Sequence, residues 1–318
     1  MKRSDTRLTS QLLQRQSRAL KRHLPGAIKG DDRAVHQARV ASRRLRESVP
    51  VLSAGLKGSK ANKARRKIRR LTGALGMVRE LDVTLTVMDE LVASGEVPRA
   101  AIDALRAHVL TERQQRRDDM LERLDGIDAD KLGRRLASVC DALGQAETEQ
   151  WRQVLGKRLL KRSKRLATAV DSAGHLYAPE RLHAVRIAVK KLRYALELAA
   201  GGGVKPAAPL VRTLKRVQEM LGRLQDLQVL LEHVAIIQAG SNGHRVPRAT
   251  FDTLAHRIED ECRRLHGRYV ASSQALVDLV AEVRSTVVPA LAHPSRRTRS
   301  LKMSLPRAAA RRHSGGSR

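Results

Sequence analysis

Residues 36–46 read His36-Gln37-Ala38-Arg39-Val40-Ala41-Ser42-Arg43-Arg44-Leu45-Arg46, and the same pattern returns as His183-Ala184-Val185-Arg186-Ile187-Ala188-Val189-Lys190-Lys191-Leu192-Arg193. The two stretches align without a gap, with identical or chemically equivalent residues at most positions. A second block follows each copy. Arg66 through Leu71-Thr72-Gly73-Ala74-Leu75-Gly76 to Leu81 and Val83 is matched by Arg212 through Val217-Gln218-Glu219-Met220-Leu221-Gly222 to Leu227 and Val229. Two blocks in the same order at similar separation imply a duplicated unit of about four helices per half, spanning residues 1–147 and 148–292 of one domain, with the halves related by a pseudo-twofold axis.

Helical geometry gives the repeat a function. His36, Arg39, Arg43 and Arg46 fall at i, i+3, i+7 and i+10, within roughly 80° of arc on one face. His183, Arg186, Lys190 and Arg193 do the same. Leu45 and Val49 lie on the opposite side, as Leu192 and Leu196 do, so each helix packs by its back and presents a row of cations. A charge run on a helix is usually a solvated face, but that role needs no fixed order. Here both copies keep His, Arg, Arg/Lys and Arg at fixed offsets with no acid interleaved on the face. Like charges so spaced destabilise an isolated helix by a few tenths, about 0.2–0.5 kcal/mol per pair, which a bound anion would offset. Asp31-Asp32 is the expected N-cap of the first helix and Pro179 the expected first helical residue of the second. Each helix N-terminus would then act with its cationic row on one anion.

Composition points to the same class of partner. Lys and Arg number 63 against 32 Asp and Glu, a formal charge of +31 that calls for a multiply charged anion. Aromatic residues make up only 2% of the chain, too few to stack successive bases of a single strand. The hydrophobic content of 42% suffices for a core, so the chain is no disordered basic tail. Cys140 and Cys262 are isolated and form no CxxC, which argues against a disulfide framework or zinc knuckle and for the cytoplasm. Met1-Lys2-Arg3-Ser4-Asp5 leads into no apolar signal region, and no stretch approaches the roughly 20 apolar residues of a membrane span. Membrane association is not expected.

Apolar residues recur at helical spacing almost throughout, as in Ile68, Leu71, Leu75, Val78 and Leu81, and the fold class is all-α. Breaks are expected at Pro25-Gly26 to Asp32, Pro50 to Ser59, Gly95 to Pro98, Gly126 to Asp130, Ser172 to Pro179, Gly201 to Pro209 and Gly240 to Pro247, giving about eight helices. Gly76 and Gly222 read as points of close helix approach. Residues 293–318 carry Arg296, Arg297, Arg299, Lys302, Arg307, Arg311, Arg312 and Arg318 with no acid, and read as a disordered basic tail.

The two histidines have no carboxylate, Cys or second His at ligand spacing, so phosphate contact is the expectation and neither metal nor cofactor is. Tyr194 serves a phosphate or a buried acceptor equally well at this level. Lys157, Arg158, Lys161, Arg162 and Arg165, like Arg15, Arg18, Lys21 and Arg22, either widen the field or solvate a helix.

At these residues the chain resembles the CHAD family, named for conserved histidines in an α-helical domain. The carriers are His36-x-x-Arg39-Val40-x-x-Arg43-Arg44-Leu45-Arg46, His183-x-x-Arg186-Ile187-x-x-Lys190-Lys191-Leu192-Arg193-Tyr194, and Leu75-Gly76-x-x-Arg79-Glu80-Leu81-Asp82-Val83, and the likeness covers nearly all of residues 1–292. The resemblance implies two pseudo-symmetric four-helix bundles, a central basic channel and binding of inorganic polyphosphate. The expected ligand set is His36, Arg39, Arg43, Arg44, Arg46, Arg66, Arg70, His183, Arg186, Lys190, Lys191, Arg193, Arg212 and Arg216. Gln225 stands where the first copy has Arg79, which weakens the case for Arg79. The ExExK signature of triphosphate tunnel domains is not met by Glu147-Thr148-Glu149-Gln150-Trp151, and no Walker A loop is present.

The expected mechanism is non-catalytic charge neutralisation, in which guanidinium forks and ammonium groups replace the counterions of a polyphosphate and place the protein on polyphosphate granules in the cytoplasm. The alternative is a protein that binds DNA or RNA non-specifically, as this charge would at low salt. A phosphohydrolase would need metal-holding carboxylates or an activated nucleophile, and neither is evident.

Overall fold

The structure is a computed structural model that describes residues 2–56, 59–145, 150–240 and 246–292, with side chains from Ser10 onward. It is helical with no strand among the described residues. The first half comprises α1 (Lys2–Ile28), α2 (Asp32–Leu52), α3 (Lys60–Ala74), α4 (Arg79–Ala93), α5 (Arg99–Asp125) and α6 (Ala129–Gln145). The second comprises α7 (Gln150–Ala173), α8 (Pro179–Gly201), α9 (Ala207–Ala239), α10 (Arg248–Glu282), a π-helical turn at Val283–Val287 and α11 (Val288–Ala292). The expected tail, residues 293–318, lies outside the described residues, as do residues 146–149 at the junction of the halves.

The helix count exceeds the expected eight for identifiable reasons. In the first half the second repeat block is split: α3 ends at Ala74, and a turn closed by Gly76 N–H to Gly73 carbonyl (3.0 Å) and Met77 N–H to Ala74 carbonyl (3.2 Å) precedes α4. Gly73 and Gly76 stand where the second copy has Glu219 and Gly222, and each glycine costs a helix roughly 1 kcal/mol, so the first copy breaks where α9 continues. Four helical units per half are still recognisable: α1, α2, α3–α4 and α5–α6 correspond in order to α7, α8, α9 and α10–α11. Pro25 and Pro50 do not stop their helices either; both sit inside the last turns of α1 and α2. A proline removes one N–H, and little helix remains beyond it to be disrupted. Gly30, at φ +80°, ends the link, because a left-handed backbone there costs an L-residue with a side chain far more.

One hydrophobic cluster runs through both halves. Leu45 and Val49 of α2, and Leu192 and Leu196 of α8, are at most 1% exposed, as the repeat's apolar face requires. Each such leucine contributes roughly 1.5–3 kcal/mol by leaving water. In the first half α1 packs on α2 and α6, and α3 on α2 and α6; in the second, α7 packs on α8 and α10, and α8 on α9. The halves meet along two seams. At one, α2 lies against α7 and α8; at the other, α4 and α5 lie against α9. Cys140 and Cys262 are buried free thiols, and burial pushes Cys140 up to about 11. No described helix is long and apolar enough to cross a membrane.

Candidate functional site

Caps fix the register of both cationic helices. The Asp31 side chain accepts the Ala34 N–H at 2.6 Å and starts α2, while Pro179 starts α8, so His36 and His183 each fall one turn in. Each N-terminus carries a carboxylate in its first turn. Asp32 occupies the first turn of α2 and is held by Arg117 at 2.7 Å and Arg113 at 3.2 Å, and Glu180 occupies the first turn of α8. These carboxylates face the positive ends of the helix dipoles and would compete there with any anion.

The seam between α2 and α8 brings the two rows together. Arg43 of the first copy lies 5.2 Å from the centre of the Tyr194 ring, and Arg193 of the second lies 4.6 Å from the same ring. Tyr194 thus receives guanidiniums from both halves, a cation–π arrangement that offsets part of their repulsion. Burial pushes Lys190 down to about 8, reinforced by Arg186 of its own helix and by Arg43, Arg39 and Arg46 of α2. Burial likewise pushes Arg43 down to about 10, with Arg39, Arg193, Arg46 and Arg186 adding to it. Arg39 is lowered by burial, then by Arg79 and Arg46, and His36 by burial, then by Arg79 and Arg39. The Arg186 Nε is buried and donates to no protein atom. These are partly desolvated like charges held together by the fold, and an anion placed among them would relieve both costs.

The expected residues divide accordingly. His36, Arg39, Arg43, Arg46, Arg186, Lys190 and Arg193 converge. Arg193 is partly spoken for, since it pairs with Glu197 and donates from Nε to Gln218 at 2.9 Å. His183 shares a hydrogen bond through Nδ1 with Gln225, so Gln225 meets His183 at the position where Arg79 neighbours His36. Arg44 is exposed and points to the other flank of its helix. Lys191 turns towards α7, where it lines a cleft with Arg162 and Arg165. Arg66, Arg70, Arg212 and Arg216 are exposed on α3 and α9 and form no ion pair among the described residues, and the structure does not join them to the converged group. Arg158 and Arg162 are settled as ties between the halves, reaching Glu47 of α2 at 3.7 and 2.5 Å. Lys161 and Arg165 line an outer cleft with Lys164 and Arg181, away from the converged rows.

The close helix approach expected at both glycines is not found at Gly222, and at Gly76 the near neighbour from another helix is a side chain. A Cβ there would stand 2.7 Å from Arg39 Nη1, whereas one at Gly222 would meet nothing within 4 Å. The glycine clears the space in which Arg39 donates to the Leu75 carbonyl at 3.4 Å.

Two contributors, Asp226 and Asp82, were not read from the sequence as part of the site, and a third, Arg79, was discounted there. Arg79 belongs to the cluster through its effect on His36 and Arg39. Asp226 is half-buried near Arg186, Arg223 and Arg79; its partial burial raises its pKa against their pull. Asp82 binds Arg113 Nε at 2.7 Å. A signal existed, because Glu80 and Asp226 are equivalent carboxylates in the two copies of the second block. Acids from α4 and α9 balance rows that carry none of their own.

An all-helical duplicated protein whose two halves pool their cations at one seam is the class defined by this fold and site. Residues 11–235 match the CHAD domain, and the chain belongs to that family. It is 25% identical over 268 residues to the uncharacterized proteins MT2285 and Rv2226 of two Mycobacterium tuberculosis strains, a match covering 79% of this chain. The chain spans about half the length, 49%, of these curated relatives. The crystal structure of the CHAD domain from the plant Ricinus communis superimposes with a TM-score of 0.57 at 20% identity, covering 88% of this chain and 91% of that one. PptA from Streptomyces chartreusis gives 0.58 at 15% identity, covering 87% and 99%. At these identities the likeness is one of fold.

Proposed function

We propose that the protein binds inorganic polyphosphate, without chemistry, by laying it between the cationic rows of α2 and α8. The observation that carries this reading is the convergence of Arg43 of α2 and Arg193 of α8 on the Tyr194 ring, at 5.2 and 4.6 Å, with Lys190 lowered to about 8 first by burial and then by Arg186, Arg43, Arg39 and Arg46. A fold that forces cations into a partly desolvated group gains most from a ligand with many closely spaced negative charges. From His36 to Arg46 a row extends about 15 Å along its helix, enough for several successive phosphates. Guanidinium forks supply bidentate contacts, and release of the ligand's counterions supplies entropy.

Bases find little to stack on. Trp151, Phe251 and Tyr269 are buried, Tyr194 is engaged by Arg43 and Arg193, and Tyr177 is the single exposed ring, packed edge to face on His266. This favours polyphosphate over single-stranded nucleic acid. Granule association follows as part of the same reading, with the segment 293–318 as an added weak attachment; deletion of that segment with unchanged granule fractionation would remove its part.

The test is competition between long-chain polyphosphate and duplex DNA at ~150 mM salt, where non-specific DNA binding is weak. It is run beside the variant His36→Ala, Arg39→Ala, His183→Ala, Arg186→Ala, whose folding is checked by its melting curve. Polyphosphate is expected to win, and the variant to lose it. Equal competition by DNA, or unchanged binding by a folded variant, would leave only generic basicity.

A further inference from the structure

At the other seam, where α5 meets α9, three groups converge that the polyanion site does not use. His108 and Glu112 lie one turn apart on α5, and His233 projects from α9 to face them. One ligating atom from each falls within 4.8 Å of the other two. His233 Nδ1 lies 3.9 Å from Glu112 Oε2, and the imidazoles of His108 and His233 meet edge to face at 5.9 Å between ring centres. His233 is only 7% exposed, yet its Nδ1 is buried with no hydrogen-bond partner. Buried polar atoms are almost always paired, so an unpaired nitrogen aimed at a carboxylate and a second imidazole points to a ligand.

We propose that His108, Glu112 and His233 form a site for a divalent first-row transition ion of the zinc class, which clips α5 of the first half to α9 of the second. Two imidazoles and a carboxylate suit zinc and its neighbours, whereas calcium and magnesium prefer oxygen donors. With metal–ligand bonds of about 2.0–2.1 Å, tetrahedral ligand atoms stand about 3.3 Å apart, so side-chain rotations of a few tenths of an ångström to about an ångström close the present triangle. Three protein ligands leave a fourth position for water. The sequence expectation of no metal rested on the surroundings of His36 and His183. His108-x-x-x-Glu112 has helical ligand spacing, but its third member comes from the other repeat, where only folding brings it near.

The experiment uses the full chain, stripped with chelator and free of polyphosphate, which would itself sequester the ion. Zn2+ is titrated calorimetrically, and Co2+ is followed by its visible ligand-field absorption. One saturable equivalent and a raised melting temperature are expected. His108→Ala and Glu112→Gln should each weaken binding at least tenfold while their metal-free melting stays near that of the parent. His36→Ala with His183→Ala should bind like the parent. Absence of a saturable equivalent, or equal binding by the His108 and Glu112 variants, overturns the proposal; because these two side chains are only half-buried, the test stands even where His233→Ala fails to fold.

Discussion

Replacing Lys190 with Met should make the protein more stable and a poorer ligand for polyphosphate at the same time. Lys190 is held at about 8 against a usual value of 10.5, chiefly by burial and then by Arg186, Arg43, Arg39 and Arg46. Taken at face value the depression corresponds to about 3 kcal/mol of destabilisation at pH 7, and solvent screening at this partly exposed amine reduces it to roughly 1–2 kcal/mol. Methionine keeps most of the aliphatic stem and removes the charge. For a chain of this size each kcal/mol shifts Tm by about 2 °C, so a rise of roughly 2–4 °C is expected at pH 7. The sign with pH follows from the depressed value. The parent's penalty is complete below about 8 and vanishes as pH rises to 10.5, where the unfolded lysine also becomes neutral, so the variant's advantage should fade across that window. Binding should move the other way. A charge-assisted contact to phosphate contributes about 1.5–3 kcal/mol, so affinity should fall by roughly 10- to 100-fold, with a shallower salt dependence. Thermal melts from neutral to alkaline pH and titrations at several salt concentrations check both halves. A variant that melts no higher than the parent and binds polyphosphate equally would refute the converged, desolvated cluster.

Gly76→Ala and Gly222→Ala should differ although the two glycines are equivalent in the repeat. The first puts a Cβ 2.7 Å from Arg39 Nη1, so it should displace that guanidinium and weaken polyphosphate binding several-fold; the second meets nothing within 4 Å inside α9 and should simply stabilise the helix by about 0.5–1 kcal/mol. Identical effects in melting and binding assays would contradict this asymmetry. His36 is lowered in the free protein by burial, Arg79 and Arg39, and a bound anion opposes all three, so binding should take up a proton and tighten as pH falls through the histidine range. Calorimetry in buffers of different ionisation enthalpy measures the uptake, and the same uptake by His36→Ala would assign it elsewhere.

Much of this protein is written locally. The recurrence of His36 to Arg46 at His183 to Arg193, with leucines at the back of each row, fixes two amphipathic helices, their direction of packing and their caps, because these depend on 3.6-residue periodicity and on residues a few positions apart. The all-α class and the duplication follow from the same pattern, and the charge is what leads to the proposal of a polyanionic partner. The chain alone does not state which cations share a site. Arg43 and Lys190 are far apart in sequence, and only the packing of α2 against α8 makes them repel; the same packing sends Lys191 to the other flank and leaves Arg44 in solvent. The break at Leu75–Val78, the clearance that Gly76 gives Arg39, and the meeting of His108 and Glu112 with His233 were decided likewise by tertiary contact. Local periodicity sets what each helix face carries, whereas desolvation and charge pairing arise only when faces distant in sequence are pressed together.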